Sequence, residues 1–332
     1  MVFRLLLASL LTLCVLASAV AAADDLADKP LYRDPIHDGA ADPVVVWNAA
    51  EQKWFMFYTN RRANVPGLKG VSWAQGTRIG IAESETGAHW RYRGTANIDY
   101  GEGEYSSWAP EVIAHEGTYH MYLTFVPGIH EDWGRVRHIL HLTSDNLIDW
   151  TFVSKLDLGS DRAIDACVFR LGDGTWRLWY KDEAADSRTF VSESSDLYHW
   201  TKGRPMQTEI ACEGPKVFHW QDQYWLITDA WNGQAVFHSP DGVAWQRQPE
   251  NLLQEPGTGL DDMEMGRHAD VVVTHGHAYI FYFTHPGRTP DAANIDIYAT
   301  RRSSIQVAEL KLENGSLICD RNAPVHIALT PP

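Results

Sequence analysis

One phrase recurs five times along this chain, and a fold without five equivalent units has no place for it. Each copy opens on a polar residue at the start of a short apolar strand: Ala41-Asp42-Pro43-Val44, Trp108-Ala109-Pro110-Glu111, Ile164-Asp165-Ala166-Cys167, Cys212-Glu213-Gly214-Pro215, and Arg267-His268-Ala269-Asp270. A polar turn follows, then an aromatic-rich strand: Trp54–Tyr58, Tyr119–Leu123, Trp176–Tyr180, Tyr224–Ile227 and Tyr279–Phe283. Most units add a third strand, as in Thr77–Ser84 and Arg137–Ser144. Four of them end on Ser, a turn and Trp, at Ser84/Trp90, Ser144/Trp150, Ser194/Trp200 and Ser239/Trp245.

Those tryptophans lie 60, 50 and 45 residues apart, the length of a four-stranded unit with its turns. No stretch of useful length carries a helical period, so an α/β fold is excluded. A β-sandwich is the competing all-β arrangement, but it does not require five copies of one phrase. The expected fold is therefore all-β, a five-bladed β-propeller. In a propeller the first strand of each blade lines the central channel, so corresponding strand ends converge although they are distant in sequence. Asp42, Glu111, Asp165, Glu213 and the group Arg267, His268 and Asp270 would then face one funnel.

The chain begins with a basic residue, Arg4, then runs apolar from Leu5 to Ala23 with an Ala-rich end. This pattern reads as a cleaved signal peptide over residues 1–23, leaving 24–332 as a single propeller domain. An uncleaved anchor is the other reading, because about 18 apolar residues can span a bilayer. Cleavage predicts an exported protein, periplasmic or extracellular, with no membrane contact. It also removes Arg4, taking the charge from 28 − 43 = −15 to 27 − 43 = −16. So acidic a chain argues against nucleic acid as a partner. Three cysteines remain after Cys14 leaves, with no zinc-like spacing. Cys167 and Cys212 both flank a unit opening, so one disulfide between them is compatible with the repeat.

Two long loops, Asn60–Trp73 and Pro127–Arg135, have the composition of pocket walls. Residues 24–40 are expected to pack against the last blade or to cover a channel end. Residues 295–300 and 304–310 alternate and read as closing strands. Asn314-Gly315-Ser316 fits a glycosylation sequon and, better, a hairpin turn.

Carboxylates gathered in one cleft are what glycosidic hydrolysis needs. One stays ionised to activate water, another is kept protonated to donate to the leaving oxygen, and a third tunes the donor. On these phrases the chain resembles glycoside hydrolase family 43, with related propeller families such as family 117 as alternatives. Ala41-Asp42-Pro43 is similar to that family's Ala-Asp-Pro opening, which implies Asp42 as general base. Ile164-Asp165 is similar to its Ile-Asp-Pro opening, which implies Asp165 as the residue tuning the acid, although Ala166 stands where the family has Pro. Glu213-Gly214-Pro215 resembles its Glu-Gly-Pro motif, which implies Glu213 as general acid. Trp108-Ala109-Pro110-Glu111 is similar to a Trp-Ala-Pro-Asp phrase, with Glu111 left to contact substrate or backbone. Gly266-Arg267-His268 is similar to the place of a metal- or water-binding histidine, which makes His268 the candidate metal ligand. The chemistry requires no cofactor, and a structural Ca2+ in the central channel is the one metal the resemblance allows for.

Each of these residues has a plainer reading. Asp42-Pro43 and Glu213-Gly214-Pro215 also suit turns, Asp165 a backbone cap, and His268 a structural histidine. Trp73, Trp108, Trp133 and Trp231 would stack on sugar or pack between blades. Arg61, Arg62 and Arg267 would hold a carboxylated or sulfated sugar through charge-assisted forks, or neutralise the acids of the funnel. Asp42 argues against a phosphorylase, which would need a basic phosphate pocket. Arg33-Asp34-Pro35 precedes the first blade and does not supply the middle motif of invertase-like retaining enzymes. The expected function is an exported, inverting, exo-acting glycoside hydrolase with a poly- or oligosaccharide substrate, bearing arabinofuranosyl, xylosyl or an algal galactose-type sugar. A non-catalytic carbohydrate-binding propeller is the alternative from another class.

Overall fold

The computed structural model describes residues 25–101, 103–206, 210–289, 291–292 and 295–332. The expected signal peptide, residues 1–23, lies outside the described residues.

Five antiparallel sheets follow one another along the chain, each with its strands in sequence order from the axis outwards, forming a five-bladed β-propeller. The first strands are Ala40–Asn48, Tyr105–His115, Ala163–Arg170, Glu213–Trp220 and Arg267–Thr274, one for each of blades 1 to 5. The aromatic second strands pack beside them: Lys53–Asn60, Thr118–Pro127, Trp176–Asp182, Gln223–Asp229 and His277–Thr284. Blade 2 carries an extra outer strand, Asn97–Asp99, laid parallel to Asp149–Lys155. The alternation of each strand buries both faces, because each blade lies between two others. Accordingly a separate apolar cluster fills each of the five interblade seams, for example Phe55, Phe57, Met121, Leu142 and Trp150 between blades 1 and 2.

The recurrent serines have a local cause. Ser84, Ser144, Ser194 and Ser239 each accept a hydrogen bond from the backbone N–H three residues on, at 2.8, 2.9, 3.0 and 2.9 Å. That bond closes the turn into the fourth strand. The ring is fastened by the ends of the chain. Asp25–Leu26 pairs with His326–Ile327, and Tyr32 exchanges backbone bonds with Ile305 of blade 5. The segment before blade 1 thus packs against the last blade.

Two readings change. Residues 298–301 form one α-helical turn instead of a closing strand. Their alternation buried no face: Ile295, Ile297 and Tyr298 are about half exposed, and the Thr300 hydroxyl and an Arg301–Asp296 ion pair close the turn locally. Cys167 and Cys212 are unpaired. The Cys167 sulfur instead accepts a bond from the Val217 N–H, and the Cys212 sulfur lies against the Thr189 hydroxyl. Asn314 and Gly315 form the hairpin turn, both with positive φ.

Candidate active site

All five first strands break register close to their N-terminal end. The bulges fall between Ala41 and Val44, Trp108 and Glu111, Ile164 and Cys167, Glu213 and Lys216, and Arg267 and Ala269. In blades 1 to 4 the first bulged residue is left-handed: Asp42, Ala109, Asp165 and Gly214, with φ of 52°, 40°, 56° and 58°. A bulge re-aims the side chains at a strand end, and here it turns them into one cavity of about 390 Å3. Asp42, Asp165 and Glu213 line it together, with Arg61, Trp73, Trp108, Trp231, Arg267 and His268. Its volume is in the usual range for a small-molecule site.

The acids are held by bonds that run from blade to blade. The Gly214 N–H donates to Asp165 Oδ2 at 3.2 Å, so the carboxylate of blade 3 fixes the backbone next to Glu213. The Asp165 N–H donates to the Thr124 hydroxyl, the His268 N–H to Asp229 Oδ2. Asp42 accepts from Arg61 Nη2 at 3.2 Å, and His268 Nδ1 lies 3.6 Å from its other oxygen. Gly214 is required twice over. Its backbone is left-handed, and a Cβ there would lie 2.3 Å from the His268 ring.

Burial and mutual repulsion set the protonation of the acids. Burial, with the Glu213 charge added, pushes Asp165 up to about 6 and Asp229 up to about 7; His268 and Arg267 respectively moderate these rises. Burial also pushes Glu213 upwards, but Lys181 outweighs it and holds that carboxyl below its ordinary value. Lys181 Nζ lies 3.0 Å from Glu213 Oε2 and 3.5 Å from Glu183. In the free site a proton shared by Asp165, Glu213 and Asp229 is therefore held by Asp165 and Asp229 in preference to Glu213.

Aromatic rings form the rim. Trp133 and Trp231 are 48% and 41% exposed, an unusual position for the largest apolar side chain. Trp133 stands edge-on to Trp108 with centroids 5.8 Å apart. Trp231 has φ of 55°, costly for so bulky a residue, and is held there by the Asp229 carboxylate, which accepts from its N–H at 2.7 Å.

Glu111 is not in this cavity, which corrects its assignment to substrate. It lies past the bulge, where the strand again points into the channel. There it is buried, accepts from the Val168 N–H, and pairs with Lys216 Nζ at 2.9 Å. The same ammonium lies 2.8 Å from Asp270 Oδ1. Burial alone would lower the Lys216 pKa; Asp270 and Glu111 raise it well above the ordinary value. This donor set does not fit a channel calcium ion, which takes six to eight oxygens. The two channel acids are committed to a lysine, and among the described residues no three His, Cys, Asp or Glu side chains, His268 included, are placed to hold a metal ion together.

Sequence reasoning missed Lys181, Asp229, Glu183, Arg137, His285 and Arg288. Lys181 and Asp229 had a signal. They pair across from the residue before the bulge, where blades 1 and 2 have Thr59 and Thr124. A charge at a position that sister blades fill with threonine marks a blade with another task.

Fold and site together define a propeller glycosidase with its acids at the blade openings. The sequence matches the model of the family described as glycosyl hydrolases family 43 over residues 32–230, more than half of the chain. The chain belongs to that family and is a glycoside hydrolase. A search of curated proteins returns no match. Among solved structures, a thermostable family-43 glycoside hydrolase is 19% identical with a TM-score of 0.63, covering 91% of this chain and 99% of its own. A family-43 β-1,3-galactosidase with galactodeoxynojirimycin is 16% identical with a TM-score of 0.62, covering 90% and 98%. A family-43 β-xylosidase/α-arabinofuranosidase from a compost microbial metagenome, in complex with xylotriose, is 15% identical with a TM-score of 0.62, covering 85% and 94%. At these identities the likeness is one of fold.

Proposed function

We propose that this protein is an exported, exo-acting, inverting glycosidase that removes one terminal sugar from an oligo- or polysaccharide. The observation that carries the reading is the convergence of Asp42, Asp165 and Glu213, from three different blades, on one cavity. Export rests on the apolar leader with its Ala-rich end. Exo-action fits a cavity ringed by Trp73, Trp108, Trp133 and Trp231. The exposed rings of Trp133 and Trp231 suit stacking on a sugar face.

In this reading Asp42, paired with Arg61 at 3.2 Å, activates a water on the far side of the anomeric carbon. Glu213 protonates the leaving oxygen, and Asp165 orients it through the Gly214 N–H. Inversion leaves room for that water between base and acid. Glu213 must carry a proton when substrate is bound. We infer that the incoming sugar parts Lys181 from Glu213, after which burial and the charges of Asp165 and Asp229 favour the protonated form. The sugars cleaved by the xylosidase, arabinofuranosidase and galactosidase neighbours are the candidate classes.

The test is product release from xylo-, arabino- and galacto-oligosaccharides, with the anomer followed by NMR. Asp42→Asn and Glu213→Gln each lower kcat about 10²- to 10⁴-fold, the usual worth of a general acid or base. The first anomer formed is inverted. A retained anomer would remove the base role from Asp42, and full activity in Glu213→Gln would overturn the assignment of the acid.

A further inference from the structure

The cavity gathers three arginines on its blade 5 side. Three guanidinium groups, Arg61, Arg267 and Arg288, surround His285. Arg61 is paired with Asp42 at 3.2 Å, stacks over Phe283, and donates to His285 Nε2 at 3.2 Å. Arg267 is paired with Glu264 at 2.5 Å through two nitrogens. His285 adds no compensating charge: it is buried, its Nδ1 faces the Arg302 carbonyl, and burial with the three arginines holds its pKa far down. Among the described residues two of these three cations have a directly paired carboxylate, Asp42 for Arg61 and Glu264 for Arg267.

The cation with no ion pair among the described residues is Arg288. Its Nε donates to the Thr300 carbonyl at 3.0 Å, and its guanidinium lies 6.0 Å over the Trp73 ring. Its two terminal nitrogens have no hydrogen-bond partner among the described residues, and no carboxylate among them lies within 4 Å. Burial and the repulsion of Arg267 and Arg61 pull it down to about 10, against the weaker attraction of Glu264 and Asp296. The backbone that presents it is fixed: a Cβ at Gly287 would lie 1.9 Å from the Ala299 carbonyl oxygen, so this turn is packed directly against the helical turn 298–301. A half-buried arginine held rigid beside two others, its fork open to a sugar-sized cavity, is costly unless an anion completes it.

We propose that the sugar bound in this cavity carries an oxyanion substituent, a ring carboxylate or a sulfate ester, received by the free fork of Arg288. The inference rests on the reading that the cavity holds the terminal sugar, and it names the class of that sugar as acidic. It also divides the work of the arginines foreseen in the sequence. Arg61 and Arg267 neutralise protein acids, and Arg62 donates to the Ser72 carbonyl, so Arg288 serves the ligand.

The experiment is calorimetric binding of free galacturonate and glucuronate, of sulfated monosaccharides and of the neutral parent sugars, to the wild type, Arg288→Gln and Arg288→Lys. Matched aryl glycosides are assayed beside them. One acidic class binds at least tenfold more tightly than its neutral parent, and which class separates carboxylate from sulfate. Arg288→Gln abolishes that difference, about a 10- to 100-fold loss for the acidic sugar, with the neutral sugar within twofold. Arg288→Lys retains part of the preference. Equal binding of acidic and neutral sugars, or equal loss of both in Arg288→Gln, overturns the proposal. Acidic sugars bound through Arg288 but no glycoside cleaved would instead overturn the hydrolytic reading and leave this one standing.

Discussion

Lys216 sits between two carboxylates, and its removal has a calculable cost. In Lys216→Met the side chain keeps its length and apolar stem, but Glu111 and Asp270 lose their shared cation. Their side chains are 4% and 3% exposed, so water reaches neither. Breaking a buried pair from one side typically costs about 3–5 kcal/mol. Each acid keeps a backbone donor, Val168 N–H for Glu111 and Val45 N–H for Asp270, which argues for the middle of that range. With an unfolding entropy near 2.1 cal/mol/K per residue over roughly 300 residues, the midpoint falls by about 5–8 °C at pH 7. The deficit depends on pH. Burial already raises Glu111 above its ordinary value, and loss of Lys216 raises it further. A carboxyl whose folded pKa exceeds its unfolded one binds a proton more tightly when folded, so it adds stability at low pH that is lost as pH rises through the folded value. The variant is therefore furthest below the wild type at pH 7 and above, and closes on it towards pH 5. Lys216→Met/Glu111→Gln/Asp270→Asn, with no charge left to strand, recovers most of the loss. Scanning calorimetry across that pH range decides the matter. A deficit that is flat with pH and not recovered in the triple variant would mean that Lys216 contributes packing alone. Millimolar calcium leaves the wild-type midpoint unmoved; a rise of several degrees would show that the channel takes a divalent cation after all.

Lys181→Met removes the cation that keeps Glu213 ionised, so the basic limb of kcat/KM against pH moves upwards; a limb that stays in place would separate Glu213 from the acid role. Gly214→Ala drives a methyl into the His268 ring at 2.3 Å and places Ala in the left-handed region, a strain of about 1–2 kcal/mol. Activity falls about 10²-fold through misplacement of Glu213 and His268, with a midpoint only a few degrees lower, and wild-type kinetics would show that the bulge is slack.

The fold was legible because its information is periodic. Five strand–turn–aromatic-strand phrases with four Ser/Trp closures leave little choice of architecture, and each serine has a bond that explains it. Asp42, Asp165 and Glu213 were legible because their bulges occur within those phrases. Glu111 was misplaced for the same reason. Read by eye it aligns with the other acids, whereas the register makes Ala109 the counterpart of Asp42. The helical turn at 298–301 defeated the alternation of its residues, because a period of two says nothing where neither face is buried. Arg288 left no trace, since its importance is a fork that no carboxylate meets among the described residues.

The bulge explains why acids of opposite purpose can share one set of strands. Inward of it, Glu111 and Asp270 face a channel where water is excluded, and a lysine on a third first strand, Lys216, binds both. Nothing there needs to change, and burial makes the arrangement rigid. Outward of it, an acid that is to donate a proton has to gain and lose charge, so its counter-cation must be able to leave. Glu213, the proposed acid, has 30% of its side chain exposed, and its partner Lys181 comes from a second strand and shares itself with Glu183. A straight strand would point residues two apart into the same channel and place both kinds of acid in one dry environment. The one extra residue of each bulge separates them. They leave static charge beneath and exchangeable charge above, on a single backbone that the seam clusters hold still.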